Sequence, residues 1–133
     1  MAKRWILHFD GGSRGNPGPS YGSYVLALDG RELLRRSCEF GRRTNNEAEY
    51  LTLIRGLEEL LRVLQAKGLD PAEAAVEVRG DSQLVLSQVQ GTWKVREPRM
   101  GVLRDQARQL LRRFGHYSLV QVPREESVRV LGH

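Results

Sequence analysis

The chain has little cysteine and no long apolar run, and each shortage excludes a class of protein. Cys38 is the only cysteine, so no intramolecular disulfide can form and a reducing compartment is expected. The stretch MAKRWILHFDGG has only a brief apolar run before Asp10, too short for a signal peptide, and no later segment approaches a membrane span. Repeats, linkers and low-complexity tracts are also absent. We therefore predict a single domain over residues 1–133, located in the cytoplasm and without a membrane partner.

The composition is that of a basic globular protein. Lys and Arg together number 21 against 16 for Asp and Glu, which gives a formal net charge of +5 at pH 7. Hydrophobic residues make up 40% of the chain and charged residues 28%, and these fractions indicate a folded core rather than disorder. The positive charge favours a polyanionic partner, although many basic proteins bind no nucleic acid.

Apolar periodicity and turn residues predict the element order βββαβααβ. The predicted strands are residues 5–10, 21–28, 32–40, 74–79 and 117–122, and the predicted helices run from 44 to about 68, from 83 to 90 and from about 98 to 114. Asp29-Gly30 is a strong hairpin signal, so the first three strands are expected to form an antiparallel meander. The βαβ portions imply right-handed crossovers. The predicted fold is therefore α/β, a five-stranded mixed sheet flanked by helices.

Two aspartates follow apolar strands in a way that predicts a shared site. Asp10 ends the first predicted strand, and Asp81 comes just after the fourth. If these strands are neighbours, the two carboxylates lie side by side, because functional groups gather beyond strand ends in α/β sheets. Adjacent carboxylates repel each other and drive one of the pair towards protonation, unless a cation is present. A divalent metal ion would remove that penalty.

A third acid comes from TNNEAEY, residues 44 to 50, where two interpretations compete. Thr44 with Glu47 fits a capping box, and so does Asn46 with Glu49. Only one pair can form the cap. The other glutamate is then a first-turn acid that is free to face the sheet. Periodicity alone does not choose between Glu47 and Glu49.

The glycine-rich stretch after Asp10 is not a nucleotide-phosphate loop. It contains neither GxxxxGK[ST] nor GxGxxG, and it joins two strands rather than a strand and a helix. Its composition instead fits close approach to the backbone of a bulky ligand, with Asn16 as a donor. A long hairpin turn from Gly11 to Ser20 would explain the glycines but not the acid that precedes them.

Three motifs in register resemble type 1 ribonuclease H. They are DGGSRGNPG after the first strand, TNNEAE at the start of the long helix and GDSQLV after the fourth strand, with PREE after the fifth as a weaker match. The resemblance covers nearly the whole chain and is nearer to the compact bacterial and archaeal branch, since QGTWKVREP stands in place of a longer basic protrusion. It implies a ribonuclease H-like fold that cleaves the RNA strand of RNA–DNA hybrids with two divalent ions, Mg²⁺ or Mn²⁺.

The resemblance also implies roles for individual residues. Asp10 matches the acid that bridges both metal ions, the spacing TNNxxE selects Glu49 as the second acid, and Asp81 matches the third. The implied substrate-binding residues, among them minor-groove contacts and a DNA-phosphate contact at Thr44, are Gly11, Gly12, Asn16, Thr44, Asn45, Asn46, Ser82, Gln83, Trp93 and Lys94. Asparagine and glutamine suit this role because their amides can bind ribose 2′-OH groups, which distinguish RNA from DNA.

Basic residues cluster around the third predicted helix. They comprise Lys94, Arg96 and Arg99 before or at its start and Arg104, Arg108 and Arg112 at every fourth position along it. We interpret this set, with Trp93, as a basic ridge that faces the substrate. A solvated helix face would carry the same arginines, and Trp93 would also be explained by packing in the core.

The C-terminal sequence departs from the family pattern, in which a fourth metal-site acid lies on a final helix. Counting PREESVRVLGH from its proline places Leu131 at the position of that acid, and most of the helix is missing. Glu125, Glu126 and His133 are candidate substitutes, although none falls at the expected place. The acids at positions 125 and 126 are better explained as solvated.

The same tail bears on the oligomeric state. The alternation of Val128 and Val130 predicts an extended segment that pairs along a sheet edge, either within one chain or with a second copy. A monomer is the preferred prediction.

The predicted function is metal-dependent hydrolysis of the RNA strand of RNA–DNA hybrids, leaving a 5′-phosphate and a 3′-hydroxyl, as the resemblance implies. The missing acid supports an alternative, a weak or inactive module that binds hybrids or double-stranded RNA. A nuclease or resolvase acting on DNA is a more distant option, which TNN and Gln83 disfavour because they match RNA-reading positions.

Overall fold

The computed structural model describes residues 4–132, which form a five-stranded sheet and four α-helices. Along the chain the elements are β1 (Arg4–Ser13), β2 (Gly18–Leu28), β3 (Arg31–Arg43), α1 (Asn45–Ala66), β4 (Ala75–Gly80), α2 (Gln83–Gln90), α3 (Pro98–Leu111), β5 (His116–Gln121) and α4 (Arg124–Leu131), with a short 3-10 helix at Pro71–Glu73 before β4.

The sheet is mixed and has the strand order β3-β2-β1-β4-β5. The first three strands pair in antiparallel fashion, whereas β4 pairs in parallel with β1 on one side and with β5 on the other. The predicted five-stranded mixed sheet with an antiparallel meander is therefore confirmed. Because β1 and β4 are parallel neighbours, their C-terminal ends meet at one edge of the sheet.

The main core lies between the sheet and α1. Side chains alternate along β1, so Trp5, Leu7 and Phe9 share one face and are almost fully buried. Helix α1 passes very close to this face, since a Cβ added at Gly56 would lie 2.7 Å from a methyl carbon of Leu7. The buried leucines of α1 that complete this layer are Leu53, Leu57, Leu60, Leu61 and Leu64.

The opposite face of the sheet carries α4. His8 lies on that face, between Leu7 and Phe9, and its Nε2 atom forms a buried hydrogen bond of 2.9 Å with Ser127 Oγ. Ser127 is fully buried and Leu131 is 6% exposed. Helix α4 has only eight residues, so it is a short version of the final helix that the family resemblance implied.

The extended tail predicted from the sequence is wrong, because these residues are helical. Ser127 and Leu131, four positions apart, are buried, whereas Val128 is 44% exposed. The spacing of burial is thus that of a helix and not the alternation of a strand. Glu125 and Glu126 lie in the first turn, where negative charge stabilises a helix.

The first connection is shorter than predicted. The sequence suggested a loop from Gly11 to Ser20, but β1 continues to Ser13 and β2 begins at Gly18. Gly11 pairs with Gly22, and Ser13 pairs with Ser20. Residues 14–17 alone form the turn. Gly11 and Gly12 therefore continue the hydrogen-bonded pairing of β1 with β2. As a result, β1 extends beyond Asp10.

Candidate metal centre and nucleic-acid interface

Three carboxylates meet at the edge of the sheet where β1 and β4 end. Asp10 belongs to β1, Asp81 follows β4 directly, and Glu49 lies in the second turn of α1. One carboxylate oxygen from each residue lies within 4.8 Å of the other two. We call Asp10, Glu49 and Asp81 the acidic cluster. The sequence-based expectation that the two aspartates lie side by side is met.

Glycine at position 11 allows α1 to approach this edge. A Cβ at Gly11 would lie 2.6 Å from the carbonyl oxygen of Ala48 and 2.9 Å from the amide nitrogen of Glu49. Any side chain would therefore push α1 away from β1. Because Glu49 is next to this contact, the glycine after Asp10 fixes the distance between two members of the acidic cluster.

The two glutamates of TNNEAEY have different environments. Glu47 forms the capping box, since its amide nitrogen donates to Thr44 Oγ1 at 3.1 Å and its carboxylate accepts from the Thr44 amide at 3.0 Å. Burial acts to raise the pKa of Glu47, but these hydrogen bonds and the charges of Arg99 and Arg43 outweigh it and lower that pKa. The competing box, Asn46 with Glu49, does not form.

For Glu49, the compensating interactions are too weak to offset burial. Burial raises the pKa of its carboxyl group to about 7, and the negative charges of Asp81 and Asp10 add to the rise. A hydrogen bond with Ser82 and the charge of Arg124 act in the opposite direction. The side chain is held in place by Asn45, whose Nδ2 atom donates to Glu49 Oε1 at 3.0 Å.

The acidic cluster fits a hard divalent cation. Its donors are carboxylate oxygens, the ligands that Mg²⁺ and Mn²⁺ prefer. Asp10 is 3% exposed and Glu49 is 7% exposed, so their charges are poorly solvated and favour a compensating cation. Asp81 is only half-buried, which leaves one side of the cluster open to solvent and to a ligand. The chemistry and the burial thus agree with the predicted metal site.

Arg124 touches the acidic cluster, and the sequence analysis did not identify it. Its Nη1 atom donates to Asp10 Oδ2 at 2.6 Å and to Asp81 Oδ2 at 3.0 Å. These hydrogen bonds raise the pKa of Arg124. A signal was present in the sequence, because the βαβ pattern predicts that β5 is parallel to β4, as observed. Asp81 is the first residue after β4, and Arg124 is the third residue after β5. Residues after both strands therefore reach the same edge.

The predicted substrate-binding residues of the first loop and of α1 lie together. Asn16 Oδ1 accepts a hydrogen bond of 2.9 Å from the amide of Asn45, which joins the β1–β2 turn to the start of α1. Thr44 caps this helix. Asn16 and Asn45 are exposed, and Asn46 is half-buried. Their side chains form a polar surface beside Glu49.

The remaining predicted contacts are distributed around the acids. Gly11 and Gly12 are buried, so they shape the interior of the site. Ser82 caps α2 by accepting from the Val85 amide at 3.2 Å, and Gln83, the first residue of that helix, is exposed next to Asp81.

The residues predicted to form the basic ridge have different surroundings in the structure. Trp93 is 44% exposed, so the alternative that it packs in the core is wrong, and Lys94 is also exposed. Arg99 lies 3.8 Å from Glu47, which places the start of α3 beside the start of α1. Arg108, in contrast, donates to the carbonyl oxygen of Val89 at 3.0 Å and ties α3 to the end of α2.

The position expected for a fourth acid is apolar. Leu131 is buried on α4, the helix that packs against β1 and β2, and Glu126 pairs with Arg129 at 3.2 Å. Neither Glu125 nor Glu126 joins the acidic cluster formed by the described residues. His133, the other candidate, lies outside the described residues.

Comparisons with known proteins agree with this geometry. The sequence profile of the reverse transcriptase-like family matches residues 8–130. Ribonuclease HI of Halobacterium salinarum is 42% identical over 123 residues, which cover 92% of this chain and 58% of that protein. The chain thus spans little more than half of that relative's length.

Two solved structures have the same architecture. The crystal structure of RNase H1 from Halobacterium salinarum has a TM-score of 0.83 at 40% identity and covers 96% of this chain and 93% of that one. The crystal structure of LC11-RNase H1 in complex with an RNA/DNA hybrid has a TM-score of 0.84 at 37% identity and covers 94% and 89%. The mixed sheet, the motifs in register and these matches show that the chain belongs to the type 1 ribonuclease H family.

Proposed function

We propose that this chain is a metal-dependent endoribonuclease that hydrolyses the RNA strand of RNA–DNA hybrids. The observation that carries this proposal is the acidic cluster, with Asp10 and Glu49 buried, and the exposed amide side chains of Asn16, Asn45 and Gln83 on the segments next to it. The hybrid-bound structure of LC11-RNase H1 supports the substrate class. The acids supply the chemistry, and the amides supply the means to recognise RNA.

We assign metal binding and catalysis to Asp10, Glu49 and Asp81, with Mg²⁺ or Mn²⁺ as the ions and two ions expected. When bound in such a site, two divalent ions activate a water molecule and stabilise the leaving oxygen of a phosphodiester. Hard oxygen donors leave room for water and phosphate oxygens in the coordination sphere. Water attack on this pattern would leave a 5′-phosphate and a 3′-hydroxyl.

The residues around the acids orient the reaction. Asn45 donates from its Nδ2 atom to Glu49 and from its backbone amide to Asn16, so Glu49, Asn45 and Asn16 form one hydrogen-bonded chain. We propose that Asn16, Asn45, Asn46 and Gln83 contact the minor groove and that Ser82, Gly11 and Gly12 shape the approach to it. A 2′-OH offers both a donor and an acceptor to such amides, and DNA lacks that group.

We propose that the surface around Trp93 and Lys94 and the cap residue Thr44 bind the phosphate backbone. Trp93 and Lys94 are both exposed. Arg99, which lies 3.8 Å from Glu47, extends the positive charge of this surface towards the start of α1. Contacts between cations and phosphates release counterions, so affinity should fall steeply as salt rises. This part of the interface is expected to bind without reading sequence.

The test is cleavage of an end-labelled RNA–DNA hybrid with Mg²⁺ or Mn²⁺, with duplex DNA and duplex RNA as competing substrates. We expect cleavage confined to the RNA strand of the hybrid and lost in Asp10→Asn and Asp81→Asn, which preserve side-chain shape. Circular dichroism of each variant controls for folding. Activity that survives both substitutions would rule out the assigned mechanism.

A second candidate, a module that binds hybrids or double-stranded RNA without cleaving them, is favoured by one observation. Leu131 stands where the family resemblance implies a fourth acid, and a missing ligand weakens a metal site. This candidate predicts salt-dependent binding with no product under any metal ion. Against it, a protein that only binds phosphates gains nothing from three carboxylates at the binding surface, because they repel phosphates.

The cellular location and the oligomeric state stay predictions. No helix within residues 4–132 has the length and apolar character required to cross a membrane. We propose a monomeric, single-domain protein of the cytoplasm. Light scattering at high protein concentration tests the first part, and a dimer mass would contradict it.

A further inference from the structure

Arg124 lies where the acidic cluster requires positive charge. One nitrogen of its guanidinium group donates to carboxylates on two different strand ends, Asp10 at 2.6 Å and Asp81 at 3.0 Å. Hydrogen bonds between ionised partners are roughly twice as strong as neutral ones. The Asp10 side chain is 4% exposed. Loss of Arg124 would therefore remove a charged hydrogen-bond partner from a carboxylate that water hardly reaches.

Helix α4 fixes the position of this arginine. Arg124 is the first residue of the helix, and Ser127, three residues later, forms the buried hydrogen bond with His8 on β1. His8 is two residues before Asp10 on the same strand. The helix is thus attached to the strand that carries the acid, and its first residue is directed to that acid. The Arg124 side chain is nevertheless 54% exposed, so it has room to move into solvent.

We propose that Arg124 is a built-in counter-cation, which occupies the acidic cluster in the absence of metal and must withdraw when a divalent ion binds there. This proposal rests on the proposed nuclease function in one respect: it takes the acidic cluster as the metal site. An ion held by the acidic cluster would use the carboxylates of Asp10 and Asp81, which now accept from Arg124. A guanidinium group and a divalent cation that share these carboxylates repel each other, so the two compete.

This competition has two consequences. Without metal, the charge of Arg124 offsets part of the negative charge of Asp10 and Asp81, of which Asp10 is almost fully buried. With metal, its displacement subtracts from the affinity of the ion. The chain therefore gives up part of its metal affinity for stability in the metal-free state.

A second arginine on α4 provides the matched control. Arg129 pairs with Glu126 of its own helix at 3.2 Å, and its side chain is 72% exposed. Replacing either Arg124 or Arg129 with glutamine removes one positive charge from the same helix. The two variants differ in whether the lost charge contacts the acidic cluster.

The experiment measures Mn²⁺ binding by isothermal titration calorimetry and the melting temperature in EDTA for the 133-residue chain and the two variants. We expect Arg124→Gln to bind Mn²⁺ roughly tenfold more tightly, since a charged hydrogen bond of a half-exposed side chain must no longer be broken. Its metal-free form should melt about 4 °C lower. Arg129→Gln should match the unaltered chain in both quantities. Arg124→Lys keeps the positive charge, so it should bring both quantities most of the way back to those of the unaltered chain.

Equal or weaker Mn²⁺ affinity in Arg124→Gln than in the unaltered chain would overturn the proposal. So would a metal-free melting temperature equal to that of Arg129→Gln. A tenfold gain in Mn²⁺ affinity in a chain that cleaves no hybrid would support the counter-cation and contradict the nuclease function, so the two failures are distinguishable.

Discussion

The acidic cluster and α4 lie against each other but are attached to the fold in different ways. Asp10 lies in β1 and Asp81 directly after β4, two neighbouring strands inside the sheet, and Gly11 allows α1 to pack closely against β1. Helix α4 is two turns long and docks through the Ser127–His8 hydrogen bond and the buried Leu131. The acids therefore occupy a rigid edge, whereas their counter-charge is on a small peripheral element.

This difference separates two properties of the site. The distances among the acids are set by strand pairing and by one helix–strand contact, which few substitutions can change without disturbing the core. The charge balance is set by a half-exposed side chain on α4, which one substitution can change without touching the core. We expect metal affinity in this chain to be adjustable through α4, with the arrangement of the acids kept.

Among substitutions in α4, Leu131→Asp is expected to reduce stability most. It introduces an acid at the position where the family pattern has its fourth metal-site acid. Leu131 is 6% exposed, so we predict a loss of about 3 kcal/mol in the free energy of unfolding, because a buried charge would have no partner. Urea denaturation measures this loss. Val128→Asp, on the exposed side of the same helix, should change stability by less than about 0.5 kcal/mol. Unchanged stability with a gain in Mn²⁺ affinity would show that position 131 faces the acids.

A smaller effect is expected from Ser127→Ala, which removes the hydroxyl that holds α4 on β1. The buried His8 would lose its partner, and leaving a buried polar group unpaired costs about 1–3 kcal/mol. Chemical denaturation of this variant and of Val128→Ala gives the comparison, since both introduce alanine into the same helix. If the two variants lose equal stability, the hydrogen bond does not dock α4.

The smallest effect concerns the capping acid, Glu47→Gln. Glutamine can still complete the capping box, so the predicted loss of up to about 1 kcal/mol at pH 7 comes from the negative charge removed from the first turn of α1. Because the pKa of Glu47 is lowered in the folded chain, its carboxylate stabilises the fold above the ordinary value of 4.5, and this contribution is lost as the pH falls through the folded pKa. Urea midpoints of the two proteins should therefore converge in acid.

Glu125→Gln, on the exposed start of α4, is the control for that series. It should leave stability within about 0.5 kcal/mol of the unaltered chain at each pH. A stability difference for Glu47→Gln that stays constant from pH 7 to pH 3 would contradict the assigned role of its charge.

Local sequence was sufficient to predict the site residues that lie near strand ends and the residues that cap helix α1. Asp10 and Asp81 could be paired because each follows an apolar strand, and βαβ connectivity makes those strands parallel. Thr44 with Glu47 was a recognisable capping box. The choice of Glu49 as the cluster acid needed the family spacing, since two boxes overlap in TNNEAEY. The contact of Gly11 with Ala48 then explains why that glutamate reaches Asp10.

Sequence failed where two distant elements meet through one side chain. The bond between His8 and Ser127 joins residues 119 positions apart, and neither residue stands out in its own segment. Val128 and Val130 suggested a strand because eight residues contain too few apolar positions to separate a period of two from one of 3.6. Arg124 was overlooked because a cation was not expected at an acidic site.

The central claim is that the acidic cluster, and not the neighbouring capping acid, performs hybrid cleavage. The most direct measurement compares single-turnover cleavage of an RNA–DNA hybrid by Glu49→Gln and Glu47→Gln at saturating Mn²⁺, since the same chemical change is made two residues apart. We predict a loss of about a thousandfold for Glu49→Gln, more than the 10–100-fold typical of residues that only support a ligand, and less than about tenfold for Glu47→Gln. Comparable rates in the two variants, or full activity in Glu49→Gln, would contradict the account.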